Sequence, residues 1–443
     1  MAWLLNLAYC GLLLAVSPWL LYRAVRQGKY RHGWKAKLWG AVPPRTSDKP
    51  CLWLHAVSVG EVMQLQPILE SLGRQEPDLQ FVISVTTTTG YDVAVQRYPG
   101  CQVIYYPLDF SWAVERALDR IRPTAIGLVE LELWPNFLFA AARRNIPVLL
   151  INGRISERSF RGYLRIRPLV ASMLRTVRRL LVQNEIYGDR LTRLGAPACR
   201  ISVTGSIKFD GAHTDRNNPR TCELRRLFGL GTGERVFIAG STQAPEEQYA
   251  LDAWLSLRTT WPELRLILVP RHKERFEEVA RLVEERYRLP LLRRSRAGNE
   301  PAQSDAGDKP VLLLDTLGEL SACWGLADIA FVGGSLTSRG GQNMIEPSGY
   351  GAAVMFGPNT WNFKDVVDQL LSRQAALVVQ SQEELTTRLA ELLAHPEQAA
   401  GYGWRATSLV SSQRGATERT VGLISATLAD SRNPAARPAQ RAA

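Results

Sequence analysis

The chain has 443 residues, 46% apolar and 22% charged. That is the balance of a globular protein rather than a disordered one, and the length favours two domains over a single core. A formal charge of +12 points to an acidic partner, whether nucleic acid, an anionic membrane or a phosphorylated substrate. The six cysteines are scattered with no CxxC pair, which excludes a disulfide scaffold or zinc ribbon. The five histidines form no HxxxH or HxxEH pair, so no protein-held metal site is readable.

Residues 2–22 hold no ionisable acid or base apart from tyrosines and, as a helix, reach about 30 Å, enough to cross a hydrocarbon core. Arg23, Arg26, Lys29, Arg31, Lys35 and Lys37 follow before the first acidic residue, Asp48. The positive-inside rule then puts this flank and the rest of the chain in the cytoplasm. There is no basic n-region and no A-x-A site before the basic cluster, so a cleaved signal peptide fits poorly. Trp19 and Tyr22 suit an interfacial belt, while Asn6 and Pro18 leave open an in-plane segment. The expectation is a membrane-anchor helix over 1–22 and a basic juxtamembrane segment over 23–49. Such an anchor would hold the chain at a membrane with the rest of it on the cytoplasmic face.

From residue 50 to 211, LWLHAV, FVISVT, CQVIYYP, AIGLVE, IPVLLING, LLVQN and ISVTG read as buried parallel strands. Helix-length segments such as 111–122 and 136–145 separate them. Residues 212–232 turn polar and read as a linker. A second series over 233–431 contains RVFIAG, LRLILVP, PVLLLD, IAFVGG, AAVMFG and ALVV, followed by closing helices. Residues 295–309 read as a surface loop and 432–443 as a disordered tail. The expected fold is α/β, two consecutive Rossmann-like domains facing a cleft.

The segment Leu52-Trp53-Leu54-His55-Ala56-Val57-Ser58-Val59-Gly60-Glu61 carries the first chemical signal. An apolar strand ends at small residues and delivers a carboxylate where open α/β sheets bind ligands. A first-turn glutamate complementing a helix dipole has the same pattern, so this stretch alone supports both readings. Residues 331–347, FVGGSLTSRGGQNMIEP, join a strand to a helix through two glycine pairs, a backbone able to approach a phosphate closely. They form neither GxGxxG nor a Walker loop. Arg271 emerges at a strand end, where a guanidinium can clamp phosphate. Ser241 and Thr242 offer hydroxyls after another strand, and Lys208 ends the first half. Glu130 and Glu132 are expected on one face of a strand, an arrangement costly for stability alone. No DxD motif and no GxSxG elbow is present.

HAVSVGE at 55–61, ELELWPN at 130–136, TGSIKFD at 204–210, VPRHKERF at 269–276, DTLGEL at 315–320 and FVGGSLTSRGGQNMIE at 331–346 together resemble the Kdo transferases of lipopolysaccharide synthesis. The resemblance covers essentially the whole chain and implies the glycosyltransferase-B fold. It also implies inverting transfer of 3-deoxy-D-manno-octulosonic acid (Kdo) from CMP-Kdo to the glucosamine disaccharide of a lipid A precursor. It makes Glu61 the general base and Glu130 and Lys208 transition-state stabilisers. CMP contacts fall to Pro270 and Arg271, to Leu317, Gly318 and Glu319, and to Asn343, Met344, Ile345 and Glu346. No metal or cofactor is implied, CMP-Kdo being the donor substrate. The chain departs from the family at Gln243 and Gln342, where histidine is frequent. The rival expectations are a related membrane-associated transferase using another nucleotide sugar and a catalytically silent sugar-nucleotide or lipid binder. No nucleic-acid module is recognisable, and the membrane accounts for the basic cluster.

Overall fold

The computed structural model describes residues 2–27, 33–297 and 309–432. Lys29 and Arg31 of the basic flank, residues 298–308 of the expected loop and the tail over 433–443 lie outside them. The chain divides into two compact units, residues 1–210 with 414–443, and residues 211–413. Each carries one parallel seven-stranded sheet.

The first unit contains β1 Cys51–His55, β2 Gln80–Val85, β3 Gln102–Tyr105, β4 Ala125–Val129, β5 Val148–Gly153, β6 Arg179–Val182 and β7 Ile201–Val203, in the order β3-β2-β1-β4-β5-β6-β7. Every residue of β1 and β4 is buried, because helices cover both faces. The two-residue period is visible in β1. Trp53 joins the apolar cluster with Phe137 and Val114, whereas Leu52 and Leu54 join the opposite one with Val62, Leu65 and Ile68. Strand order reverses at β1 and β4, which creates a topological switch point at their carboxyl ends.

The last helix, Ala416–Arg432, belongs to this first unit and not to the second, as its place in the chain had suggested. Val421, Ile424 and Leu428 are buried on the Leu52–Leu54 side of the sheet, which stabilises the docking by roughly 5–8 kcal/mol. The Asp210 carboxylate accepts from the N–H groups of Gly415 (2.7 Å), Ala416 (3.2 Å) and Thr417 (2.5 Å), capping the returning helix. Arg432 closes this helix instead of opening the tail.

The second unit contains β8 Arg235–Thr242, β9 Leu264–Pro270, β10 Leu291–Arg293, β11 Val311–Leu313, β12 Ile329–Val332, β13 Ala353–Phe356 and β14 Ala376–Val378. Their order is β10-β11-β9-β8-β12-β13-β14, with the switch point at β8 and β12. The half-buried, three-residue β10 was not foreseen. The polar segment 212–232 is no linker, because it holds the helix Pro219–Leu227. That helix is capped by Asn218 and buries Thr221, Leu224 and Leu227. Few inward residues suffice for a short surface helix, so its composition resembles a loop.

The N-terminal helix Ala2–Gln27 has inverted amphipathicity. Its polar Asn6 faces the first unit, where Nδ2 donates to Ser111 Oγ (2.7 Å) and Oδ1 accepts from Ser111 N (3.0 Å). Tyr9 donates to Asp109 Oδ2 (3.0 Å). Trp3, Leu4, Leu7, Leu12, Leu14 and Trp19 are exposed instead. By length and composition, Ala2–Trp19 can cross a membrane.

Candidate active site

The β1 carboxyl end leads into the helix Val59–Gln75, whose N-cap is Ser58. Ser58 Oγ accepts from Glu61 N (3.3 Å) and donates to Glu61 Oε1 (2.8 Å), while Val57 N donates to Oε2 (2.8 Å). This reciprocal arrangement is a variant of the capping box. The two sequence readings of Glu61 therefore coincide, because the bonds that cap the helix also hold the carboxylate at the switch point. Burial pushes the Glu61 carboxyl above its ordinary range, against the bonds from Val57 and Ser58, and the Glu130 charge pushes it further. A carboxyl shifted upward is better matched to general-base work near neutral pH.

Glu130 follows β4, the other strand at the switch point. Its backbone is left-handed (φ 61°), so the strand ends at Val129, and the expected strand pairing of Glu130 with Glu132 on one face does not form. The two carboxylates converge near Glu61 nonetheless. Arg154 Nε donates to Glu130 Oε2 (2.7 Å), and Trp134 Nε1 donates to Glu132 Oε2 (2.9 Å). Burial raises the Glu132 carboxyl to about 7, opposed by the Trp134 bond and assisted by the charges of Glu61 and Glu130. Pro135 then takes the first turn of the helix Pro135–Arg143, where Asp109 accepts from the Asn136 (2.9 Å) and Phe137 (2.8 Å) N–H groups. His55 of the same motif is a core group. It is fully buried, stacked on Tyr106, and held neutral by a pKa lowered to about 3, chiefly by burial.

Lys208 lies in the short turn Ile207–Phe209, and its ammonium forms no hydrogen bond or ion pair with any described residue. Asn152, left-handed at the end of β5 (φ 55°), ties this turn to the Glu61 helix. Its Nδ2 donates to Gln64 Oε1 (2.6 Å), and its Oδ1 accepts from Ile207 N (3.3 Å). Glu132 is legible from sequence only as the companion of Glu130, whereas Asn152 leaves no mark there, because its partners Gln64 and Ile207 are distant in the chain.

In the second unit the residues proposed for CMP follow the carboxyl ends of β9, β11 and β12. Pro270 ends β9, and Arg271 is exposed with no ion-pair partner among the described residues. Exposed Leu317 precedes Gly318 (φ 84°). Glu319 is engaged by Arg294 Nη2 (2.9 Å) and by the Thr316 hydroxyl. Asn343 Nδ2 donates to Glu346 Oε1 (2.9 Å), and Asn343 Oδ1 accepts from Ile345 N (3.0 Å). Met344 and Ile345 are buried anchors for this turn. Burial raises the Glu346 carboxyl, opposed by Asn343 and by the nearby His213 and Arg271.

The glycine loop is organised differently from the phosphate cradle read in the sequence. Fully buried Glu246 accepts from Gln243 N (2.9 Å), Gly334 N (2.7 Å), Ser335 N (3.0 Å) and Leu336 N (2.9 Å). Within the first glycine pair, Gly334 therefore donates to an internal carboxylate, while Gly333 N donates to Gly240 O (2.9 Å). A Cβ on Gly333 would stand 2.5 Å from Thr242 Cα, so glycine is needed for this close approach of the β8 and β12 ends. Gln243 and Gln342, the two departures from the family pattern, both sit on this device. Gln243 contributes its N–H to Glu246, and the Gln342 amide lies against Gly334. Thr242 is buried and turned toward Val269 O, so its hydroxyl is not offered outward.

Two doubly wound parallel sheets, each with polar groups at its switch point, define a glycosyltransferase-B-type protein. MurG from Acinetobacter baumannii has this fold, with a TM-score of 0.52 at 14% identity over 85% of this chain and 99% of its own. A family model for 3-deoxy-D-manno-octulosonic-acid transferase (kdotransferase) matches residues 31–211. The chain is 32% identical to the 3-deoxy-D-manno-octulosonic acid transferase of Haemophilus influenzae over 95% of both chains. It is 33% identical to that of Bordetella pertussis over 93% of this chain and 92% of the relative. The chain belongs to the Kdo transferase family and is a glycosyltransferase.

Proposed function

We propose that this chain transfers Kdo from CMP-Kdo to a hydroxyl of a phosphorylated, acylated glucosamine disaccharide, inverting the anomeric configuration. The observation that carries this reading is the convergence of Glu61 and Glu130 at the β1/β4 switch point, in a chain whose relatives are Kdo transferases. Glu61 removes the acceptor proton as the hydroxyl oxygen bonds to the Kdo anomeric carbon. The bond from that carbon to the CMP phosphate breaks, and its electron pair leaves with CMP. Positive charge developing on the sugar favours Glu130 as its stabiliser. Negative charge on the leaving phosphate favours Arg271 and Lys208, and the reaction as proposed uses no metal or other cofactor.

The second unit binds the donor through Pro270, Arg271, the Leu317–Glu319 turn and the Asn343–Glu346 turn. Membrane association at the cytoplasmic face of the inner membrane is supported by the outward apolar face of the N-terminal helix and by the basic residues that follow it. An anionic lipid acceptor also fits the charge of +12. The test is the full chain in detergent with CMP-Kdo and a tetra-acylated disaccharide bisphosphate, read by product mass and by the anomeric NMR signal. An added Kdo of inverted configuration is expected. Transfer from UDP-sugars in place of CMP-Kdo, or retention at the anomeric carbon, overturns the proposal.

A further inference from the structure

An apolar groove lies beside the acid cluster of the first unit. Its volume is about 270 Å³, and its walls are Tyr9, Leu13 and Val16 of the N-terminal helix with Leu108, Phe110 and Trp134. The one carboxylate on its lining, Asp109, is taken up by Tyr9 and by the N–H groups of Asn136 and Phe137. The Trp134 N–H is taken up by Glu132. A cavity walled by carbon with its polar atoms satisfied stays dry and takes hydrocarbon. About 150 Å³ suffices for a six-carbon ring, so this groove has room for roughly ten carbons of a single chain.

Two features identify the occupant. The Trp134 indole forms a wall of the groove while its N–H holds Glu132, a carboxyl close enough to feel the charges of Glu61 and Glu130. One ring thus links an apolar channel to the carboxylates that are to meet a hydroxyl, an arrangement suited to an amphiphile. Leu12 lines the same groove and is 63% exposed on the apolar face of the helix, so the groove opens on the side that faces lipid.

We infer that this groove holds one acyl chain of the acceptor lipid and makes the enzyme select acylated over bare acceptors. The inference rests on the acceptor assignment proposed above. Filling the groove with Val16→Trp or Leu13→Trp is expected to raise KM for a tetra-acylated disaccharide bisphosphate at least tenfold. KM for the same disaccharide bisphosphate stripped of all its acyl chains stays within twofold. Equal losses on both acceptors, or no change on either, overturn the inference.

A second measurement does not depend on turnover. The acylated disaccharide, with a diazirine at a chain end, is photolysed with the full-length protein in phosphatidylethanolamine vesicles. Adducts are expected on residues 9–16 and 108–110, blocked by unlabelled acylated acceptor and not by the stripped backbone. Adducts only elsewhere, or equal labelling of the groove by a diazirine phospholipid, refute it. Absence of Kdo transfer to either acceptor would instead defeat the functional assignment, while the adducts still report on the groove.

Discussion

Replacing Glu61 by glutamine separates its capping of the helix from its proposed role as general base. The wild-type carboxylate receives bonds from Val57 N and Ser58 Oγ, each 2.8 Å. Glutamine can keep both partners, since its oxygen accepts from Val57 and its nitrogen donates to the serine oxygen. Burial raises the Glu61 pKa in the folded chain, so over that interval the folded state binds more protons than the unfolded state. Wild-type stability consequently falls as pH rises from the ordinary glutamate range through the raised value, and at neutral pH the ionised group is a burden. The expected stability of Glu61→Gln at pH 7.5 is therefore within about 1 kcal/mol of wild type and not below it, a Tm within roughly 2–4 °C.

Catalysis responds in the opposite way. Losing a general base costs roughly 10²- to 10⁴-fold in kcat, or about 2.7–5.5 kcal/mol of barrier. Glu61→Ala should show the same kinetic loss and in addition about 1–2 kcal/mol of instability, because both capping bonds disappear. CMP release under saturating acceptor, together with thermal unfolding of each variant, makes the comparison. Turnover of Glu61→Gln within threefold of wild type would refute the base assignment. A large Tm loss in that variant would show that capping, not chemistry, explains the residue.

Three more outcomes are expected. Glu130→Gln removes a charge that helps hold the Glu61 carboxyl up, so the acid limb of the kcat/KM profile should move to lower pH. Arg271→Gln should raise the donor KM roughly 10- to 150-fold, the loss of a charge-assisted bond of about 1.5–3 kcal/mol, with acceptor KM little altered. Glu246→Ala deprives four N–H groups of their acceptor and should cost roughly 3–5 kcal/mol in denaturant unfolding, with weaker CMP-Kdo binding by calorimetry.

Much of this was legible in the sequence because it depends on local pattern. Thirteen of the fourteen strand positions stand out as apolar runs, most of them buried, whereas β10 (Leu291–Arg293) is a three-residue, half-buried strand that ends in an arginine and leaves no such mark. The position of Glu61 follows from strand, small residues and carboxylate in immediate succession. What stayed hidden depends on partners far apart in the chain. Glu246 resembles an ordinary first-turn glutamate until Gly334, Ser335 and Leu336 are folded onto it. The final helix belongs to the first unit through its burial beside Leu52 and Leu54 and through its cap at Asp210.

Glu130 shows how a local rule can err in its geometry and still point to a carboxylate near the switch point. Alternation along an extended strand puts residues 130 and 132 on one face, but the left-handed φ at Glu130 ends the strand first. Such a backbone is sparsely populated for a residue with a Cβ and costs of order 1–3 kcal/mol, so surrounding contacts must hold it. Two are present, the Glu130 N–H to Ile151 O bond (2.9 Å) and the Arg154 ion pair. Strain of this kind persists where it places a side chain that a relaxed strand would misplace. Asn152 repeats the device one strand away, and its two bonds lead to the Glu61 helix and the Lys208 turn. The ends of β1, β4 and β5 therefore act as one support for Glu61, Glu130 and Lys208. Such a support is what the proposed proton removal beside developing charge would require.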